Sequence, residues 1–114
     1  MADTLVSKFL TIGSTTATEI IQAGSWVTTI LSITLCDNSG SGNTFDLYID
    51  PSGSSADGDS SGTNTYLYKA QSLQAASTFE HTSKIVLHEN DKLYIHMTST
   101  NRVCTTVSSL KQTS

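Results

Sequence analysis

The sequence predicts an all-β fold: an antiparallel two-sheet β-sandwich, jelly-roll-like, built from about eight short strands. Three observations predict it. Ser and Thr supply 18 residues each of the 114, and Thr suits a pleated surface while Ser with Gly and Asn suits turns. Apolar residues alternate with polar ones at a period of two in several segments. No segment shows the 3.6-residue period of an amphipathic helix of ordinary length.

The elements follow in order. Thr4 to Ile12 reads as a first strand, and Gly13 to Thr16 as a turn. Ala17 to Ile21 is a short strand, closed by a turn over Gln22 to Ser25. Trp26 to Cys36 is the longest strand candidate. Its odd positions, Val27, Thr29, Leu31, Ile33 and Leu35, are expected to face the core. Asp37 to Gly42 is a loop. In Thr44 to Asp50, Phe45, Leu47 and Ile49 are expected inside, with Thr44, Asp46 and Tyr48 outside. Pro51 ends that strand because it lacks the ladder N–H. Residues 52–64 are rich in Ser, Gly and Asp and read as a flexible loop.

Thr65 to Ala70 is a strand, and Gln71 to Ala76 a helical turn or an extended link. Ser77 to Thr82 is a strand with Phe79 as its inward anchor, and Lys84 to Leu87 follows. His88 to Asp91 is a turn whose Asn90-Asp91 step suits left-handed or Asx geometry. Lys92 to Thr98 alternates, with Leu93, Ile95 and Met97 inward and Tyr94 outward. Arg102 to Leu110 is the last strand, and Lys111 to Ser114 a tail.

A chain of 114 residues forms one domain, spanning 1–114. Residues 1–12 read either as an arm that reaches a neighbour or as the first edge strand. Net charge is −4, with charged residues at 14%. One Arg and five Lys give no electrostatic footprint for nucleic acid. No segment approaches the ~18–20 apolar residues of a membrane span. No secretory h-region is visible, so Cys36 and Cys104 are expected as free thiols after synthesis in a reducing cytoplasm.

Candidate chemistry is sparse. Asp57, Asp59, Ser61 and Gly62 imitate the start of a calcium loop. An EF-hand needs a bidentate Glu at its twelfth position, where Tyr68 stands, and an entering helix. A loose cation site at Asp50, Asp57 and Asp59 weighs less than a solvated loop. His81, His88 and His96 have the spacing of no zinc site and read as surface residues. No nucleophile elbow is present. The chain is therefore expected to be no enzyme, with no catalytic, cofactor-binding or metal-binding residues and no cofactor. Tyr48 and Tyr94, in outward register, would fill a protein interface, stack on a sugar or simply cover a sheet face.

Three segments carry a family resemblance. They are Trp26-Val-Thr-Thr-Ile-Leu-Ser-Ile-Thr-Leu-Cys-Asp-Asn-Ser-Gly-Ser41, Thr44-Phe-Asp-Leu-Tyr-Ile-Asp-Pro51, and Ser83-Lys-Ile-Val-Leu-His-Glu-Asn-Asp-Lys-Leu-Tyr-Ile95 with the closing strand to Leu110. Their order resembles small β-sandwich structural proteins of tailed-phage virions, especially marine ones. The resemblance implies a virion location and a role as a capsid decoration or cement protein. The implied partners are the major capsid protein or other virion proteins and further copies of the chain, as a homotrimer, with neither nucleic acid nor membrane. The alternatives are a tail, neck or baseplate component and, from another class, a carbohydrate-binding module for host attachment. The candidate interface residues are Leu5, Val6, Phe9 and Leu10 in the N-terminal segment, with Tyr48 and Tyr94.

Overall fold

A computed structural model describes residues 2–22, 25–51 and 65–113. These form nine strands: β1 (Ala2–Ile12), β2 (Thr18–Gln22), β3 (Val27–Asp37), β4 (Asn43–Asp50), β5 (Thr65–Leu73), β6 (Thr78–His81), β7 (Ile85–Leu87), β8 (Lys92–Met97) and β9 (Val103–Thr113). One sheet runs β1-β9-β3-β6, with β7 also on β3, and the other runs β2-β8-β4-β5. Every pairing is antiparallel.

The pairing is nested. β1 takes β9, β2 takes β8, β3 takes β6 and β7, and β4 takes β5. Counting β6 and β7 as one interrupted strand, this is a jelly roll: a long hairpin folded back on itself into two sheets. The core lies between the sheets. Ile30, Ile33 and Leu35 of β3 meet Phe45 and Leu47 of β4 and Leu93 and Ile95 of β8, all fully buried. The alternation expected for β4 and β8 puts these residues inside.

Alternation along β3 fails at one place. The register with β9 passes from Ile30↔Ser109 to Ser32↔Ser108, so Leu31 is an extra residue. A β-bulge of this kind reverses which parity faces inward. Thr28 and Ile30 are buried before it, and Ile33, Leu35 and Asp37 after it. The expectation that Val27, Thr29 and Leu31 face the core is therefore corrected. A sequence shows a period, but the phase break depends on the partner strand.

Two further boundaries differ from expectation. β5 continues through Gln71 to Leu73, with register shifts around Leu47 and Ala70 at φ 53°. β9 runs on to Thr113, where a tail from Lys111 was expected, because β1 pairs with it along its whole length, from Ile12↔Val103 to Ala2↔Thr113. Lys111 Nζ sits 3.8 Å over the Trp26 ring, a cation–π contact that anchors this end.

The bulge has a direct consequence for stability. Ile30→Ala should cost about 2–5 kcal/mol, the range for a buried Ile, while Leu31→Ala should cost distinctly less. Urea unfolding of the two variants checks this; an equal or reversed order would contradict the bulge.

Candidate functional site

Asp37 organises one end of the sandwich. It closes β3 and begins the run Asp37-Asn-Ser-Gly-Ser-Gly42, a sequence suited to an Asx turn. Its Oδ1 accepts from the Ser39 hydroxyl at 2.6 Å and the Ser39 N–H at 3.0 Å. Its Oδ2 accepts from the Gly42 N–H at 2.9 Å and the Ala76 N–H at 2.7 Å. The Ser39 hydroxyl first, then the Ala76 N–H, hold the carboxyl well below the usual range, against the opposing effect of its own desolvation. One carboxylate thus joins the β3–β4 loop to the β5–β6 turn.

Asn43 extends the tie. Its amide donates to the carbonyls of Ser99 and Asn101, at 3.2 and 2.9 Å, and Asn101 donates back to the Gly42 carbonyl at 2.7 Å. Gly42 has φ +79°, and an added Cβ would lie 2.9 Å from the Leu73 carbonyl oxygen. Both conformation and space demand glycine there. This end is a polar lock, and its donors and acceptors are spent on one another.

The outer face of the β2-β8-β4-β5 sheet carries the tyrosines. Cross-strand register sets Tyr94 beside Tyr48, and Tyr48 beside Tyr66. Tyr48 and Tyr94 stack at 5.7 Å and 13°, and Tyr48 lies 5.0 Å from Tyr66. Tyr48 is 1% and Tyr94 4% exposed, whereas Tyr66 is 41% exposed. The two tyrosines named as candidate interface residues are in outward register but covered, with ring stacking contributing to the cover, which fits the reading that they cover a sheet face.

Beside them Asp46 accepts from the Ala70 N–H at 2.7 Å, which satisfies a donor freed by the irregular β5 register. Lys69 lies 3.5 Å and His96 Nδ1 3.6 Å from the same carboxylate. Asp46, Tyr48, Tyr66, Lys69 and His96 line a hollow of about 260 Å³. No pattern along the chain marks this group, since Asp46, Lys69 and His96 lie far apart in sequence.

His81 shares a 2.8 Å hydrogen bond with the Tyr68 hydroxyl. Tyr68, Phe79 and Phe45 form an edge-on aromatic cluster, so His81 belongs to the packing between β5 and β6. This corrects its reading as a surface residue. His88 is exposed in the turn before β8. The three histidines stay apart, and among the described residues no three His, Cys, Asp or Glu side chains converge on a metal position. Asp50 is buried in β4, while Asp57 and Asp59 lie outside the described residues. Cys36 and Cys104 are free thiols that face each other in the β3–β9 register.

The outer face of the β1-β9-β3 sheet is different in character. Leu5 is 75%, Phe9 73% and Val86 49% exposed. Cross-strand register lines up Leu5, Leu110, Thr29 and Val86 in one row, and Phe9, Thr106, Thr34 and Glu80 in another. Between them Ser7, Ser108 and Ser32 keep the surface low. Val6 is exposed, on the opposite face of β1, where it lines a cleft with Lys8, Ile20 and Trp26. Leu10 is half-buried against the core. Of the expected interface residues, Leu5 and Phe9 share one open face; Val6, Leu10, Tyr48 and Tyr94 do not lie on it. Val86 and Leu110 join that face only through register.

No protein-family model matches the chain, and no curated protein matches it significantly.

Two variants probe the polar lock. Gly42→Ala should cost roughly 1–3 kcal/mol, the range for forcing a side chain into a left-handed backbone. Asp37→Asn should lower the melting temperature at neutral pH. A depressed folded pKa contributes stability that is fully present above the ordinary carboxyl value of about 3.9 and is lost as pH falls through the folded value. The gap between Asp37→Asn and wild type should therefore narrow as thermal melts are taken into acid; a gap that widened would contradict the assignment.

Proposed function

We propose that this chain is a structural subunit of a tailed-phage particle, a decoration or cement protein bound to the outside of the capsid shell. The observation that carries the reading is the outer face of the β1-β9-β3 sheet. It combines exposed Leu5, Phe9 and Val86 with rows of Ser and Thr. Exposed apolar residues on a rigid, low-charge sheet suit burial against another protein. The jelly roll supports the reading at the level of fold alone, since viral shell proteins and lectins both use it.

The mechanism is adhesion. Each copy would contribute a modest contact, and repetition over the lattice would add these contacts into shell stability. The polar lock keeps the sheets rigid, so binding costs little ordering. The same face would serve in a tail, neck or baseplate ring, and the partner separates these cases.

Co-sedimentation with shells lacking the protein, and separately with tails, tests the proposal. Wild type should bind shells in proportion to lattice sites. Val86→Asp, at an exposed position, should weaken binding by about tenfold, the effect of roughly 1.4 kcal/mol at an interface centre. Binding to tails alone would move the protein to the tail, and binding to neither would end the reading.

A carbohydrate-binding reading has one observation in its favour: Tyr66 stands open beside Asp46, Lys69 and His96. Retention on a host polysaccharide column, lost in Tyr66→Ala, would support it over the shell.

A further inference from the structure

We propose that β1 pairs with β1 of a second copy, antiparallel, about a two-fold axis at Ser7. β1 is the edge of its sheet, and among the described residues nothing hydrogen-bonds to its far side. It is eleven residues long and pairs with β9 without a single register shift. Edge strands are ordinarily protected by bulges, prolines or charges turned toward the edge. This one has no bulge and no Pro. Its Lys8 reaches across to the other sheet, where its Nζ donates to the Ile20 carbonyl at 2.7 Å.

The direction of the free backbone groups follows from the register. The Asn38 N–H donates to the Arg102 carbonyl at 3.0 Å, so by antiparallel alternation Cys104 turns its N–H and C=O toward Cys36. Val103, Thr105 and Val107 then turn theirs toward Ile12, Leu10 and Lys8. The odd residues of β1, from Asp3 to Thr11, are left with N–H and C=O pointing away from the sheet. Leu5 and Phe9 are among these odd residues.

The strand is self-complementary. Ser7 is the midpoint of Ala2–Ile12, so centring the axis there overlaps the two strands completely. That register sets Leu5 opposite Phe9 of the second copy, twice, with the small Ser7 pair between. It sets Asp3 opposite Thr11 and Lys8 opposite Val6, so no like charges meet. Moving the axis one residue along, to Lys8, would oppose two lysines and lose overlap. Charge and length select the same register. Self-pairing of this kind is isologous and closes at two copies, which departs from the homotrimer that the family resemblance implies.

The area sets the strength. Eleven residues at about 3.4 Å each give an edge roughly 37 Å long and about 10 Å deep. Two such strips amount to on the order of 800 Å², below the ~1,200 Å² of a standard stable complex. A contact of that size is expected to be weak and reversible.

Sedimentation equilibrium of the isolated protein, from low micromolar to near-millimolar concentration, tests this without any other virion component. A monomer–dimer equilibrium is expected; a monomer throughout, or a trimer, overturns the proposal. Leu5→Glu and Phe9→Lys should each weaken the dimer about tenfold or more, and the double variant should recover to within about threefold of wild type, because the new charges lie opposite each other only in this register. Unaffected single variants, or a double variant that fails to recover, overturn the register. Ser7→Pro removes an N–H that faces away from β9 and should leave a folded monomer by thermal melt. A folded Ser7→Pro protein that still dimerises overturns the pairing.

Discussion

A buried carboxylate with four donors holds the corner on which this fold depends. Asp37 stands at the end of β3, where the chain crosses from one sheet to the other. Its two oxygens bind backbone N–H groups from Ser39, Gly42 and Ala76. The last of these lies 39 residues away along the chain. Without an acceptor there, the tight approach of the Gly42 backbone to Leu73 would leave polar groups buried and unmatched, which is costly. With it, the β3–β4 loop fixes the β5–β6 turn, and both sheets share one rigid end.

The nested pairing explains why such a tie is useful. In a jelly roll nearly every contact joins residues far apart in sequence, and loop closure must precede reward. Asp37 and Asn43 bring the β3–β4, β5–β6 and β8–β9 connections together at one end. The sheets then meet through Ile33, Leu35, Phe45, Leu47 and Ile95. The opposite end is closed by different chemistry, with Lys111 over Trp26, and between the ends Lys8 ties one sheet to the other through the Ile20 carbonyl.

The two outer faces divide the remaining work. The β2-β8-β4-β5 face turns inward on itself: tyrosines stack, and Asp46 gathers Lys69, His96 and the Ala70 N–H. The β1-β9-β3 face stays open, with an apolar Leu5-Leu110-Val86 row and with Phe9 heading a row of threonines that ends at Glu80. The proposed adhesion would use that surface, backed by a stiff frame. The proposed self-pairing uses the edge of that sheet, so it leaves Val86 and Thr29 available to a different partner.

Strand rhythm, and with it the fold class, is legible in the chain alone. Phe45, Leu47 and Ile49 against Asp46 and Tyr48, or Leu93, Ile95 and Met97 against Tyr94, point to one inner face because side chains in a strand alternate strictly. The apolar N-terminal segment, with Leu5 and Phe9, was equally legible. Tertiary structure alone decided the phase of β3, since the Leu31 bulge arises from its match with β9. It alone buried Tyr48 and Tyr94, set Val86 and Leu110 in a row with Leu5, and carried Asp37 to Ala76. Alternation is a property of one strand, whereas register and burial belong to pairs of strands that the chain brings together only on folding.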